Sequence, residues 1–326
     1  MNTPPRNVIE SINSARSVVI TTHRNPDGDA VGSALGFWHM LRSMGKQAHV
    51  ILPNEEPQNL RWLPGAREMT VFGEDCSHRV ANADTIVVLD LNALSRLEKL
   101  AEAITSSGAT IVNIDHHTHP ENFAHVQWID IEACSTAMMV AQIAMQCNVI
   151  TAPLATCLYT GIMTDTGSFR FPRTTPEVFE IAGLLVANGA DPVMAYDEVM
   201  NRGSIQRTQL LGKCLSQLQI HASGALCTMV VSRADLEHYQ CTTEDTEGFV
   251  SQTLALDGVQ MGILFVELAD EVKISFRSKN SIYVRDLAAK FGGGGHVYAA
   301  GARIKGQPLQ QVVATVTERA ITSIGS

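Results

Sequence analysis

Apolar, β-branched runs punctuate the first half of the chain, at residues Ser17 to Thr22, Gln47 to Leu52, Thr85 to Leu89 and Thr110 to Ile114. They are nearly continuous rather than alternating, the pattern of strands buried on both faces. After the turn-forming Asn25-Pro26-Asp27-Gly28, residues Ala30 to Met44 place Val31, Leu35, Trp38 and Leu41 at helical spacing, and Gly45 stops the helix. Ser135 to Met145, Pro153 to Met163 and Pro176 to Ala187 read as further helices, the last ended by Asn188-Gly189. Apolar strands separated by helical stretches predict an α/β domain: a parallel sheet with helices on both faces.

From Pro192 to Leu218 the pattern is helical with no strand, and beyond it the period changes. Leu218 to His221 and Ala225 to Val231 flank Ser223-Gly224, and Met261 to Leu268 faces Val272 to Phe276 across Ala269-Asp270-Glu271, which predicts hairpins. A helix over Val284 to Phe291 runs into Gly292-Gly293-Gly294-Gly295-His296, followed by a strand-like Ala302-Arg303-Ile304. The expected organisation is a first domain over 1–190, a helical connector over 191–215 and a smaller α+β domain over 216–326.

Bulk properties narrow the class. At 326 residues the chain exceeds the usual size of one core, and 45% apolar with 17% charged residues fits neither a disordered nor a membrane-spanning chain. The start has no basic region followed by an apolar segment, so no secretory signal is expected and the protein is placed in the cytoplasm, with no membrane partner. Seven scattered cysteines without a Cys-x-x-Cys read as reduced packing residues. A net charge of −9 argues against broad binding to long duplex nucleic acid. It leaves a short phosphorylated ligand open, because metal ions can supply the missing positive charge.

The chemistry lies in four acidic clusters at element ends: His23-Arg24-Asn25-Pro26-Asp27-Gly28-Asp29, Asp90, Asp115-His116-His117, and Asp165 in Thr164-Asp165-Thr166-Gly167. Singly, the Asn25-Pro26-Asp27-Gly28 turn, Asp90 and Asp165 have ordinary structural readings as a turn or a helix cap, whereas Asp115-His116-His117 directly after an apolar strand does not read as core filler. Together they lie where an open parallel sheet gathers its strand ends along one edge. Converging carboxylates repel one another, so a metal site explains the set better than an acid patch. Asp27, Asp29, Asp90 and Asp165 with His23 and His116 give six oxygen and nitrogen ligands, which suits two divalent ions such as Mn²⁺, Mg²⁺ or Zn²⁺. His119 and His125 read as surface or loop residues. Ser135-Thr136, Arg170 and Arg173 are candidates to line the cleft, with a structural role the preferred reading.

These residues resemble the four motifs of the DHH phosphoesterase superfamily, and Phe276-Arg277-Ser278, Gly292 to His296 and Ala299-Ala300-Gly301 resemble its DHHA1 substrate domain. The resemblance covers nearly the whole chain and, in size and layout, is to the nanoRNase type. It implies that His23, Asp27 and Asp90 hold one Mn²⁺, and that Asp29, Asp90, His116 and Asp165 hold the other, with Asp90 as the bridge. His117 would face the substrate, and Asp115 would orient the histidines. Arg277, Ser278, Gly293, Gly294, Gly295 and His296 would bind substrate, Arg277 as a planar phosphate clamp.

The implied activity is two-metal hydrolysis of RNA about two to five nucleotides long, and of 3′-phosphoadenosine-5′-phosphate (pAp) to AMP, by an activated hydroxide in a cleft between the domains. A rival within the same chemistry is a phosphodiesterase for cyclic di-AMP or linear dinucleotides. The rival from another class is a non-enzymatic nucleotide sensor. Oligomeric state is open, a homodimer included.

Overall fold

The computed structural model describes residues 3–324, which divide into two compact units between Arg202 and Gly203. In the first, β1 (Ser17–Thr21), β2 (Gln47–Leu52), β3 (Thr70–Val71), β4 (Thr85–Leu89), β5 (Thr110–Asp115) and β6 (Val126–Ile129) form one sheet in the order β3-β2-β1-β4-β5-β6. Every neighbouring pair is parallel. The strand order reverses between β1 and β4, and such a switch point opens a crevice at the carboxyl ends of the two strands.

Helices α1 (Arg6–Ser14), α2 (Gly28–Ser43), α3 (Glu74–Ala81), α4 (Lys99–Ser106), α5 (Thr136–Gln146), α6 (Ala152–Asp165), α7 (Pro176–Ala187) and α8 (Pro192–Met200) complete this unit. Successive strand side chains feed two cores. Val18, Ile20, Val50, Val87, Val112 and Ile114 pack with Val31, Leu35, Met139 and Leu158 from α2, α5 and α6. Val19, Ile51, Ile86, Val88 and Ile111 pack with Val80, Leu100 and Ile104 from α3 and α4. Each such aliphatic side chain contributes about 1.5–3 kcal/mol when fully buried, which is why both faces must be covered. Helices α2 and α6 approach so closely that a Cβ on Gly32 would meet the Cys157 carbonyl at 2.6 Å and the Gly161 nitrogen at 2.9 Å.

The second unit contains α9 (Ile205–Ser216), β7 (Gln219–His221), β8 (Leu226–Val231), α10 (Arg233–Tyr239), α11 (Phe249–Thr253), β9 (Met261–Glu267), β10 (Glu271–Ser278), α12 (Val284–Ala289), β11 (Gly294–His296), β12 (Ala299–Lys305) and α13 (Leu309–Ile324). Its sheet runs β11-β12-β10-β9-β8-β7. The expected hairpins β7/β8 and β9/β10 are antiparallel, whereas β8 and β9 pair in parallel, with α10 and α11 in the connection between them. That parallel pair makes the sheet mixed, a feature the hairpin pattern does not convey. The helical stretch after Pro192 is two helices, α8 in the first unit and α9 in the second.

No single helix among the described residues is long and apolar enough to cross a membrane. All seven cysteines are free thiols, six of them buried.

Candidate metal centre

The acidic clusters fall where the sheet reverses. His23 follows β1, Asp90 follows β4, and Asp115 ends β5 ahead of His116 and His117. Asp27 caps α2 and accepts from the amides of Asp29 and Ala30, both at 3.1 Å. This cap starts the helix two residues ahead of the sequence expectation and turns Asp29 inward, where it is buried. Asp165 comes from elsewhere: it is the last residue of α6, not a helix N-cap and not a strand end. Asp90 does not cap the short helical turn that follows it, and its backbone takes the left-handed conformation at φ 57°.

Within 4.8 Å of one another lie ligand atoms of His23, Asp27 and Asp90, of Asp29, His116 and Asp165, and of Asp90, His116 and His117. His23 Nε2 is 3.5 Å from Asp90 Oδ2, and His116 Nε2 is 3.5 Å from Asp90 Oδ1, 3.5 Å from Asp165 Oδ2 and 3.8 Å from Asp29 Oδ2. Both rings are aimed by their other nitrogen. His23 Nδ1 donates to the Arg24 carbonyl at 2.8 Å and His116 Nδ1 to the Ala133 carbonyl at 3.3 Å, so each turns Nε2 toward the carboxylates. His117 Nδ1 donates to Asp115 Oδ1 at 2.7 Å, with Asp115 wholly buried.

Two residues read from sequence as structural shape the site. The Thr136 hydroxyl donates to Asp90 Oδ1 at 3.1 Å, and the amides of Thr136 and Ala137 donate to Asp29 Oδ2 and Oδ1 at 2.7 and 2.8 Å. The amino end of α5 thus holds the Asp29 carboxylate by orphan amides and the positive end of the helix dipole. Ser135 caps that helix through Met138 N. Its position ahead of an apolar helical run was the available sequence signal. Elsewhere, His125 Nδ1 accepts from Ile111 N, and Arg170 Nε donates to the Gly167 carbonyl.

The electrostatics mark a cation site. Burial, reinforced by the charges of Asp90 and Asp165, drives Asp29 well above the carboxylate range. Asp165 is pushed up to about 7, by burial first and by Asp27 and Asp90 next, with His116 opposing. Asp90 lies well below the ordinary range, because contacts with His116 and His23 outweigh the penalty of burial. Burial disfavours a charged His116, yet Asp90, Asp165 and Asp29 hold its proton up to about 10. No Lys or Arg forms an ion pair with these carboxylates among the described residues. With no Lys or Arg paired to these carboxylates, their oxygens and the imidazole nitrogens fit divalent metal.

The second unit carries the other predicted residues. Arg277 on β10 is half-buried, which disfavours its charge while Glu247 favours it. Its Nη1 donates to the Phe276 carbonyl, and among the described residues no carboxylate pairs with it. Ser278 is buried, its hydroxyl donates to the Ile282 carbonyl and its amide to the Tyr298 carbonyl, so both donors are engaged within the unit. The glycine run is a helix end passing into the edge strand β11. The amides of Gly292 and Gly293 bond the Ala289 and Ala288 carbonyls, and Gly294, Gly295 and His296 pair with β12. Glycine is required where β12 crowds it: a Cβ on Gly293 would meet the Gly301 carbonyl at 2.1 Å, and one on Gly295 the Ala299 carbonyl at 2.6 Å. The His296 side chain lies outside the described residues.

A doubly wound sheet whose switch point gathers carboxylates and imidazoles able to hold divalent metal defines the class of α/β protein. The DHH family N-terminal domain matches residues 17–162 and the DHHA1 domain residues 224–322. The bifunctional oligoribonuclease and PAP phosphatase NrnA of Thermus thermophilus is 35% identical over 92% of this chain and 88% of its own. Its Bacillus subtilis counterpart is 24% identical over 91% and 92%. The crystal structure of an exopolyphosphatase-related protein from Bacteroides fragilis superposes with a TM-score of 0.92 at 31% identity, over 97% of this chain and 94% of that one. The chain belongs to the DHH phosphoesterase family and carries a DHHA1 domain.

Proposed function

We propose that the protein hydrolyses short oligoribonucleotides to mononucleotides and pAp to AMP, with two divalent ions, Mn²⁺ preferred. The observation that carries this reading is the placement of Asp90 within reach of both His23 and His116, so that His23-Asp27-Asp90 and Asp29-His116-Asp165 meet at one carboxylate. The first group would hold one ion; the second, with Asp90, would hold the other. Bound there, the ions lower the pKa of a water molecule and neutralise charge gathering on the phosphoryl oxygens.

The remaining work belongs to the chain. The α5 amino end holds the Asp29 carboxylate in place, and Nδ1 tethers keep His23 and His116 from rotating away. Asp115 holds His117 by Nδ1, so that its ring can polarise the scissile phosphate or assist the leaving oxygen. Arg277 offers a guanidinium that no carboxylate among the described residues pairs with, the feature that suits it to a substrate phosphate. An acidic chain neutralises few phosphates, which favours short substrates and a shallow salt dependence.

The test is turnover by the purified full chain with Mn²⁺ of RNA roughly two to five nucleotides long, of pAp, of cyclic di-AMP and of long RNA. Fastest turnover of short RNA and pAp is expected. Preference for cyclic di-AMP would replace the substrate assignment, and binding of nucleotide without turnover would make the protein a sensor.

A further inference from the structure

Strand β5 carries a polar pair that the hydrolytic reading uses only in part. Asn113 and Asp115 are two residues apart and so face the same side of the sheet. That side is apolar: Asn113 is in register with Val88, which packs with Ile86, Ile111, Leu97 and Leu100. Both polar side chains are wholly buried. Oδ1 of Asp115 accepts from His117, but Oδ2 of Asp115 and both Oδ1 and Nδ2 of Asn113 have no hydrogen-bond partner among the described residues.

An amide and a carboxylate oxygen buried among aliphatic groups are costly unless something satisfies them. Same-face positions two apart on a strand are separated by about 6.6 Å along the backbone, close enough for both side chains to reach one water molecule between them. We propose that ordered water bridges Asn113 to Oδ2 of Asp115, accepting from Nδ2 and donating to the carboxylate, and that Asn113 is thereby a positioning residue for His117. Held at both oxygens, Asp115 has one orientation, and the imidazole bonded to its Oδ1 inherits it. The water site stands without any activity; the effect on His117 rests on the hydrolytic reading.

Two readouts keep these apart. A crystal structure of the full chain, at a resolution that shows ordered solvent, is expected to place water within hydrogen-bond distance of Asn113 and Asp115 Oδ2, and that water should vanish in Asn113→Leu. In kinetics with pAp, Asn113→Leu should lower kcat by roughly tenfold or more, as loss of a group supporting an active-site ligand does, with KM changed less than about twofold. Its melting temperature should not fall, because the replacement is apolar in an apolar layer. Asn113→Val serves if the leucine variant does not fold. In an Asp115→Leu background the Asn113 substitution should have no further effect on kcat. Direct protein partners for Asn113 in the crystal, or an unchanged kcat in the leucine and valine variants, would overturn the proposal. Water in place with a wild-type protein inert toward every phosphoester would instead remove the hydrolytic reading and leave the water site standing.

Discussion

The backbone amide of Thr136 lies 2.7 Å from Oδ2 of Asp29, joining residues 107 positions apart. With Ala137 donating to the other oxygen, a helix end grips a carboxylate that burial and three neighbouring aspartates disfavour. The same carboxylate is proposed as a metal ligand, so Asp29→Asn replaces an acceptor by a donor facing a backbone amide and removes the charge. Turnover should fall by at least about a hundredfold. In the wild type, divalent metal at a hundred times its Kd should stabilise the fold by about 2.7 kcal/mol and a chelator should reverse this. That shift should shrink in Asp29→Asn; thermal melts with Mn²⁺ and with EDTA read it directly.

The seat of Asp29 depends on how closely α2 packs on α6. Gly32 faces backbone atoms that cannot withdraw, the Cys157 carbonyl and the Gly161 nitrogen. Gly32→Ala should therefore destabilise by about 1–3 kcal/mol, through overpacking. Gly212, inside α9, provides the contrast, since a Cβ there would meet nothing within 4 Å. At that position alanine should stabilise by about 0.5–1 kcal/mol, the helix-propensity difference. Urea unfolding of both variants measures the two signs.

Much of the architecture is legible in the chain, for identifiable reasons. The strands of the first unit are short aliphatic runs, and periodicity locates β1, β2, β4 and β5 to within a residue or so at each end. Helix α3, eight residues long, and the two-residue β3 are too short to show a period, and only the structure reveals them, whereas the helix expected to start near Ser95 appears as a short turn followed by α4. Helix α13 does carry one, in Leu309, Val312, Val316 and Ala320, so it lay within reach of the sequence although no element was expected there. His23, Asp27, Asp29, Asp90, His116 and Asp165 stand out because ionisable residues at element ends are conspicuous. The grip of α5 on Asp29 does not, since it uses backbone amides, which no residue type announces.

In the second unit, Lys213 Nζ lies 2.6 Å from Asp235 Oδ2, the same oxygen that accepts from the amide and hydroxyl of Ser232. Burial would raise the Asp235 pKa, but Lys213 and Ser232 outweigh it and hold it below the ordinary carboxylate range. A carboxylate with a depressed folded-state pKa contributes stability above its unfolded pKa and loses it as pH falls through the folded one. The pair should thus contribute fully from about pH 5 upward and fade below about pH 4, with a size near 1 kcal/mol because both groups are partly solvated. A Lys213→Met, Asp235→Asn double-mutant cycle at pH 7 and at pH 3 should show a larger coupling in the first condition than in the second.

Asp90 is where strain and chemistry meet. Its left-handed backbone is uncommon outside glycine, although Asp and Asn tolerate it better than other residues. The conformation persists because its amide is fixed to the Ile114 carbonyl and its carboxylate is shared by Thr136, His23 and His116. Asp90→Gly and Asp90→Ala remove the same carboxylate, but only glycine relieves the backbone, so the glycine variant should be the more stable by about 1 kcal/mol. Asp90→Asn keeps a residue suited to the conformation and isolates the charge. If Asp90 bridges the two groups, Asp90→Asn should abolish hydrolysis and retain no metal in elemental analysis of the dialysed protein. Asp27→Asn alters only the exposed member of one group and should retain about one ion per chain. Equal metal content in the two variants would show that the groups bind independently and that Asp90 is not shared.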